Sequence, residues 1–282
     1  MSPRVRRITV SGYKGQTHVP AEGVPEERVT ARTLRRINAF LSAFARNQAA
    51  HSVDVPGGFA VYDDAFAHSR ANNQIVIDTV VDAGVLPAVA EEALGHLPHR
   101  MISVLDDEVG TACAEALLRS GYTHSTLLVM QHDGPVTRHG RDAGKVSLDA
   151  IRAPLAEQWR NFLPDVDDEV IRHLVDRREV RHRGADVVHF IGAHTEGGEV
   201  ASWADLYLDR ATGMAQIEDL VTSEVHLGRG YADAVLNAAL RLAVDADCGT
   251  RFLIADAADW PRHWYERRGF SVVGRSHCFE RG

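Results

Sequence analysis

Residues 187–221 hold the pattern that most restricts how this chain can fold. Three strand-like segments, residues 187–193, 201–208 and 214–221, are joined by short turns at Gly197-Gly198 and at residues 209–213. Turns this short join antiparallel neighbours, because parallel strands need a long crossover connection. The segments therefore predict an antiparallel meander.

A glycine-rich loop and an amphipathic helix follow the meander. The loop is Leu227-Gly-Arg-Gly-Tyr-Ala232, and the helix runs from residue 231 to about residue 244. Backbone N–H groups in such a loop form a cradle for phosphate anions together with the helix N-terminus. Glycine lets the backbone come close to the ligand. No Lys-Ser/Thr pair follows the loop and an antiparallel meander precedes it, so neither the P-loop nor the dinucleotide fingerprint matches.

The length of 282 residues suggests two domains of modest size. We predict a mobile basic arm at residues 1–30, a first domain at 31–140 and a second at 141–282, with the boundary in a loop-like stretch. A helix is predicted over residues 31–46. Further along the first half, strand, helix, strand, helix and strand are predicted at residues 74–78, 86–94, 99–105, 107–120 and 122–130.

One segment of the first half is repeated near the end of the chain. Glu115-Ala-Leu-Leu-Arg-Ser-Gly-Tyr122 is echoed by His263-Trp-Tyr-Glu-Arg-Arg-Gly-Phe270, with the two glycines 148 residues apart. Each segment predicts a helix that ends in glycine before an aromatic residue and a strand. The repeat suggests two similar domains in tandem.

The second half resembles the GCN5-related N-acetyltransferase (GNAT) family over about residues 150–282. The resemblance rests on three motifs in order: the glycine-rich loop, then Asp256-Ala-Ala-Asp-Trp-Pro261, then Trp264-Tyr-Glu-Arg-Arg-Gly-Phe270, which is similar to the family's Leu-Tyr-x-x-x-Gly-Phe. Leu227 departs from the family pattern, which has Arg or Gln there. The resemblance implies an α/β (α+β mixed-sheet) fold, with two GNAT-like domains in tandem, each a mostly antiparallel sheet flanked by helices.

What the resemblance implies for chemistry is direct acetyl transfer from acetyl-CoA, as co-substrate, to an amine. The pyrophosphate is expected on the backbone amides of the loop, with Arg229 also leaning on a phosphate. The pantetheine arm is expected along the edge of the strand at residues 217–221. The implied cofactor-binding residues are Leu220, Val221, Gly228, Arg229, Gly230, Tyr231 and Ala232.

Two side chains are the candidates for proton transfer. Tyr265 has the position of the family's acid, which protonates the departing thiolate. Glu218 and Asp219 are candidates for the base that removes a proton from the amine, and Glu218 is preferred because a glutamate on this strand often serves in the family. Strict alternation along the strand predicts that only one of the two carboxylates faces the cleft.

The first half lacks the corresponding features. Its counterpart of the loop region, Asp78-Thr-Val-Val-Asp-Ala-Gly84, has no Gly-x-Gly, and Asp82 would repel pyrophosphate. Leu117 stands where Tyr265 stands in the second half, and leucine cannot supply a proton. The first half is therefore interpreted as a degenerate GNAT-like domain, a structural partner and a wall of the acceptor site.

Charge and composition narrow the partners. Residues 1–36 carry a net charge of +5 and the rest of the chain −13. An acidic body argues against nucleic acid and suits a cationic amine. No apolar run is long enough for a membrane span, and the three cysteines form no CxxC pattern, so a cytoplasmic protein without a metal is expected.

The sequence thus predicts a cytoplasmic, acetyl-CoA-dependent N-acetyltransferase that acts on a primary amine of a small, cationic molecule, as a monomer or homodimer. Two alternatives remain open. One is a protein or peptide N-acetyltransferase, and the other is a non-catalytic acyl-CoA-binding sensor.

Overall fold

A single mixed sheet organises the protein in the computed structural model, which describes residues 25–136 and 142–282. Within those residues eleven strands lie side by side. The strands are β1 (His51–Val55), β2 (Gly58–Tyr62), β3 (Gln74–Ile77), β4 (Arg100–Val104), β5 (Thr123–His132), β6 (Gly144–Val146), β7 (Val187–His194), β8 (Val200–Asp209), β9 (Met214–Thr222), β10 (Thr250–Asp256) and β11 (Phe270–Arg281).

The strand order is β1-β2-β3-β4-β11-β5-β10-β9-β8-β7-β6. Two neighbouring pairs are parallel, β3 with β4 and β9 with β10, and the other pairs are antiparallel. The meander predicted for residues 187–221 is formed by β7, β8 and β9. The mixed α/β fold class is confirmed.

The two halves of the chain interleave at the centre of the sheet. Strand β11, the last of the chain, lies between β4 and β5 of the first half. Strand β5, the last of the first half, lies between β11 and β10 of the second. Each half therefore gives its final strand to the other, and the sheet crosses the expected boundary near residue 140 without a break. Division into two tandem domains stays a prediction.

Helices cover both faces of the sheet. They are α1 (Pro25–Gln48), α2 (Leu86–Leu94), α3 (Asp107–Arg119), α4 (Leu148–Phe162), α5 (Asp168–Asp176), α6 (Tyr231–Asp245) and α7 (Pro261–Glu266). One face carries α2 and α3 over the first half and α6 and α7 over the second. The opposite face carries α4 and α5, with α1 lying across both halves.

The N-terminal helix begins earlier than predicted. Pro25 and the two glutamates after it belong to α1 rather than to an arm, and residues 1–24 of the predicted arm lie outside the described residues. Proline suits the first turn of a helix, where its missing N–H has no partner to lose, and acidic residues suit the positive end of the helix dipole. Helix α1 packs Phe40 against Phe252 of β10 and Ala45 beside Phe59 of β2.

Other predicted elements agree with the structure to within a few residues. The repeated helix–glycine–strand segments are α3 with β5 and α7 with β11, and Gly121 and Gly269 have φ of +83° and +84°. This left-handed conformation is why glycine recurs at both helix ends. The β1–β2 hairpin and the short edge strand β6 were not predicted. No helix in the described residues has the length and apolar character required to cross a bilayer.

Candidate active site

A gap opens in the sheet between β9 and β10. The two strands pair at Met214–Thr250, Ala215–Arg251 and Gln216–Phe252, and no further along. Beyond that point β9 continues beside β8 only, and β10 continues beside β5 only. We call this gap the notch. It connects the two faces of the sheet at the one place where the backbone edges of β9 and β10 are left without each other.

The glycine-rich loop lies on the α6 face, next to the notch. Gly228 and Gly230 have φ of +71° and +79°, and Gly230 is the residue before the first turn of α6. A Cβ placed on either glycine would find no atom within 4 Å, so the loop surface is open. Among the described residues, no backbone carbonyl accepts a hydrogen bond from the amides of Gly228, Arg229 or Gly230. An open, positively polarised loop of this kind fits a phosphate group.

A cleft of about 710 Å³ extends from this loop to the notch. Its volume lies in the range usual for cofactor sites. We call it the coenzyme cleft. It brings together most of the predicted cofactor-binding residues: Leu220, Val221, Gly228, Gly230, Tyr231 and Ala232 all line it, with α7 on the opposite wall. Arg229 is exposed in the loop but does not line the cleft.

Tyr265 lies at the inner part of the coenzyme cleft. It belongs to α7 and packs edge-on against Trp264 and Phe270, with ring centroids 5.2 and 5.6 Å apart. Burial raises the pKa of Tyr265 to about 12, and the nearby charges of Glu218 and Asp219 add to the shift. The phenol is therefore fully protonated at neutral pH, which is the state that a proton donor requires.

A β-bulge on β9 sets the orientation of the two acidic candidates. Asp205 of β8 is opposite Glu218, and Trp203 is opposite Val221, so two residues of β9 face one residue of β8. Asp219 occupies the bulge with φ of +49°. Bulges of this kind redirect side chains near active sites. The prediction from strict alternation fails here, because both carboxylates contribute to one charged cluster.

Three arginines hold Asp219 in that cluster. Arg178 and Arg181 each donate to Asp219 at 3.0 Å, and Arg177 lies 3.8 Å from it. Arg178 and Arg181 also pair with Asp205, which is completely buried on β8. The arginines belong to a short 3₁₀-helix, Arg177–Arg183, that follows α5.

The cluster gives the two carboxylates different acidities. Burial would raise the pKa of Asp219, but the positive charges of Arg181, Arg178 and Arg177 outweigh it and hold that pKa below its ordinary value. Burial raises the pKa of Glu218 to about 7, and the negative charge of Asp219 contributes to the rise. Glu218 accepts a hydrogen bond from Gln216, and no basic side chain in the described part of the chain forms an ion pair with it. Glu218 is thus the carboxylate that can change its charge near neutral pH.

A second cavity lies on the other face of the sheet, beneath α1. It has a volume of about 220 Å³ and extends from the notch across the first half of the chain. Glu218 and Ile254, which flank the notch, line one end, and Val76 and Met101 line the other. We call it the α1 cavity. Tyr265 and Glu218 therefore approach the notch from opposite faces of the sheet.

Several side chains differ from their predicted settings. His226, expected to be solvated, is buried against Tyr231 and lies 3.3 Å from the carboxylate of Glu199. Arg268 pairs with Asp233 at the mouth of the coenzyme cleft and stacks on Trp264. No group of three or more potential metal ligands occurs in residues 25–136 and 142–282.

Sequence reasoning missed the arginine cluster. The run Arg177-Arg-Glu-Val-Arg181 has the composition of a solvated surface, yet Arg177, Arg178 and Arg181 are at most 7% exposed. A usable signal was present in β8, where Asp205 stands between Trp203 and Tyr207 on the face of an otherwise apolar strand. A buried carboxylate requires a cationic partner.

The comparisons with known proteins agree with this site. Residues 150–270 match the family model of the acetyltransferase (GNAT) family. A functionally unknown conserved protein from Staphylococcus epidermidis superimposes with a TM-score of 0.63 at 13% identity, over 81% of this chain and 92% of its own. A GCN5-related N-acetyltransferase from Kribbella flavida superimposes with a TM-score of 0.57 at 16% identity, over 88% and 96%.

A GCN5-related N-acetyltransferase from Sphaerobacter thermophilus also superimposes, with a TM-score of 0.51 at 15% identity over 80% of this chain and 76% of its own. No curated protein matches the sequence. The family match identifies a GNAT acetyltransferase domain at residues 150–270, and the chain is an acyltransferase enzyme for which acetyl-CoA is the implied co-substrate. A degenerate first domain is not among these findings and stays a prediction.

Proposed function

We propose that this enzyme transfers an acetyl group directly from acetyl-CoA to the primary amine of a small molecule that is positively charged in solution. The observation that carries the proposal is the notch, with Tyr265 on one face of the sheet and Glu218 on the other. A proton donor and a proton acceptor on opposite sides of one gap suit a reaction between two substrates that enter from opposite faces.

Acetyl-CoA would supply an activated acyl group as a thioester. The open amides of Gly228, Arg229 and Gly230 would bind its pyrophosphate, and the free edge of β9 at Leu220 and Val221 would pair with its pantetheine arm. Asp233 at the start of α6 would oppose a phosphate, but its ion pair with Arg268 neutralises that charge.

Glu218 would accept the proton that the acceptor's ammonium group must lose before its nitrogen can attack. A carboxylate with a pKa near 7 is half ionised at neutral pH and is basic enough to hold the proton. Asp219 is a poorer candidate because its arginine partners keep it ionised and engaged. Tyr265 would give its phenolic proton to the sulfur as the carbon–sulfur bond breaks, and would recover a proton from solvent.

The acceptor is expected to be small because the α1 cavity, at about 220 Å³, is below the usual range for drug-sized ligands. This favours a small molecule over the alternative of a protein or peptide acceptor. The net charge of −13 outside residues 1–36 favours a cation during encounter.

The proposal is tested by measuring thiol release from acetyl-CoA with a broad panel of amines, and by identifying the acetylated product by mass spectrometry. We expect thiol release that depends on a small amine and is lost in Tyr265→Phe. If acetyl-CoA binds and no amine supports thiol release, the proposal fails and the non-catalytic sensor takes its place. If only peptides react, the small-molecule assignment fails.

A further inference from the structure

The wall of the α1 cavity is formed largely by the first half of the chain. Val76 of β3 and Met101, Ser103 and Leu105 of β4 line it together with Phe44 of α1, whereas Glu218 and Ile254 come from the second half. The residues of β3 and β4 that line it alternate with Ile75, Ile102 and Val104, which point to the opposite face and pack beneath α2 and α3. The half of the chain without a phosphate cradle therefore shapes the space next to Glu218.

Glu218 is the one carboxylate that lines this cavity. The other formally charged side chain, Arg181, is already occupied by Asp205 and Asp219. His277 borders the cavity through its strand, but its ring points to the other face, where Nε2 lies 2.9 Å from Asp107 and Nδ1 lies 2.8 Å from His124. The cavity therefore offers a single ionic partner to a bound amine.

The neutral polar side chains of the wall are also engaged with each other. Ser103 donates to the side chain of Gln74 at 2.6 Å, and Gln74 donates to the carbonyl of Ala71 at 3.0 Å. Gln48 donates to the same carbonyl at 3.4 Å. A ligand with many hydroxyl groups would break these bonds, and a second ammonium group would have no carboxylate to meet.

From this arrangement we infer that the acceptor is a monoamine on an apolar body, which binds with its nitrogen at Glu218 and its hydrocarbon part against the first half of the chain. The inference rests on the proposed function and narrows it. Polyamines and amino sugars are excluded as preferred acceptors, because burying their additional ammonium or hydroxyl groups without partners is costly.

A pair of amines of equal length tests the inference. We expect kcat/KM for hexylamine to exceed that for 1,6-diaminohexane by at least about thirtyfold. Along the series from propylamine to hexylamine, kcat/KM is expected to rise about fourfold per methylene until the cavity is filled.

Two variants of Met101 connect the preference to this cavity. Met101 lies on β4, far from the coenzyme cleft, and is only partly buried, so both Met101→Glu and Met101→Gln should fold. Met101→Glu adds a carboxylate for the second ammonium, and should reduce the preference for hexylamine over the diamine at least tenfold more than the neutral Met101→Gln does. Unfolding midpoints and acetyl-CoA affinity of both variants are measured alongside.

The possible results separate the two proposals. A wild-type enzyme that prefers the diamine or an amino sugar overturns this inference and leaves acetyl transfer intact. Equal preferences in the two Met101 variants also overturn it. No thiol release with any amine overturns both this inference and the proposed function.

Discussion

The β9–β10 pair and the β3–β4 pair are the two parallel pairs of the sheet, and they differ in how far they stay together. Pairing of β9 with β10 stops at Gln216 and leaves the notch. Pairing of β3 with β4 continues through Ile77, whose carbonyl also accepts the amide of Leu105 at 3.0 Å. The same topology is therefore open in one half of the protein and closed in the other.

The loops that follow the two strands differ in the same sense. After β9, the amides around Gly228 and Gly230 face open space. After β3, the carboxylate of Asp82 accepts the amide of Gly84 at 2.9 Å, so an acid already occupies the place of a phosphate. Val81 also packs against Gly57, where an added Cβ would lie 2.5 Å away. A coenzyme site needs both the parted strands and the free amides, and the first half has neither.

The helix that follows completes the contrast. Tyr265 of α7 lines the coenzyme cleft, whereas Leu117 of α3, four residues before the equivalent glycine, is completely buried in the core beneath α2 and α3. The first half has thus kept the packing role of this helix. Its contribution to the enzyme is the wall of the α1 cavity.

The largest effect is expected from closing the phosphate cradle. Gly230→Asp brings a carboxylate to the loop, and a like charge about 4 Å from a phosphate costs about 4 kcal/mol at an effective dielectric constant of 20, or roughly a thousandfold in affinity for acetyl-CoA. Calorimetry measures the affinity. Gly198→Asp is the matched control, because Gly198 also has a positive φ of +85° and open space around it but lies in the β7–β8 turn. Equal affinity of the two variants would show that the loop does not bind the coenzyme.

Removal of the proposed base is expected to reduce kcat/KM by about 10²–10⁴-fold. In the wild type, kcat/KM should rise with pH through about 7, because Glu218 works only after losing its proton and burial raises its pKa. Glu218→Gln should flatten or displace this rise. Glu224→Gln, an exposed glutamate of the next loop, is the control and should keep both rate and profile. An unchanged pH profile in Glu218→Gln removes Glu218 as the base.

Loss of the proposed acid should reduce kcat on the same scale, about 10²–10⁴-fold, with acetyl-CoA affinity preserved. Tyr265→Phe keeps the ring that packs on Trp264 and Phe270, so the fold should be unaffected. Tyr122→Phe in the first half is the matched control, because the buried hydroxyl of Tyr122 has no hydrogen-bond partner in the described structure. A kcat for Tyr265→Phe within about twofold of the wild type would reduce Tyr265 to a packing role.

The smallest effect is a gain. Leu227 is 60% exposed at the mouth of the coenzyme cleft, where the family usually has Arg or Gln. Leu227→Arg should tighten acetyl-CoA binding by about two- to fivefold, which corresponds to a solvent-exposed ion pair of less than about 1 kcal/mol. The gain should shrink as salt is added. Leu227→Gln gives the uncharged comparison, and an equal gain in both variants would exclude an ionic cause.

Local patterns predicted the parts of this comparison that depend on local sequence. The glycines at 228, 230, 121 and 269 all have positive φ, and this conformational demand is visible in the residue type itself. The acid at Asp82 was likewise recognisable as an obstacle to phosphate. The elements around them were predicted to within a few residues for the same reason.

The features that remained hidden depend on contacts between distant segments. The exchange of β5 and β11 joins residues about 150 positions apart, and no local pattern encodes it. The bulge at Asp219 breaks the alternation from which the orientation of Glu218 and Asp219 was predicted. The arginine run was hidden because its carboxylate partners, Asp205 and Asp219, lie on other strands.

Hydrogen–deuterium exchange of the full chain with and without acetyl-CoA is the most direct test of the contrast between the two strand pairs. We predict slower exchange of the amides in residues 219–233, where the edge of β9 and the loop before α6 would bind the coenzyme. The equivalent residues 77–86 should exchange at an unchanged rate. Protection of residues 77–86 comparable to that of residues 219–233, or protection there alone, would contradict the assignment of a single coenzyme site to the second half of the chain.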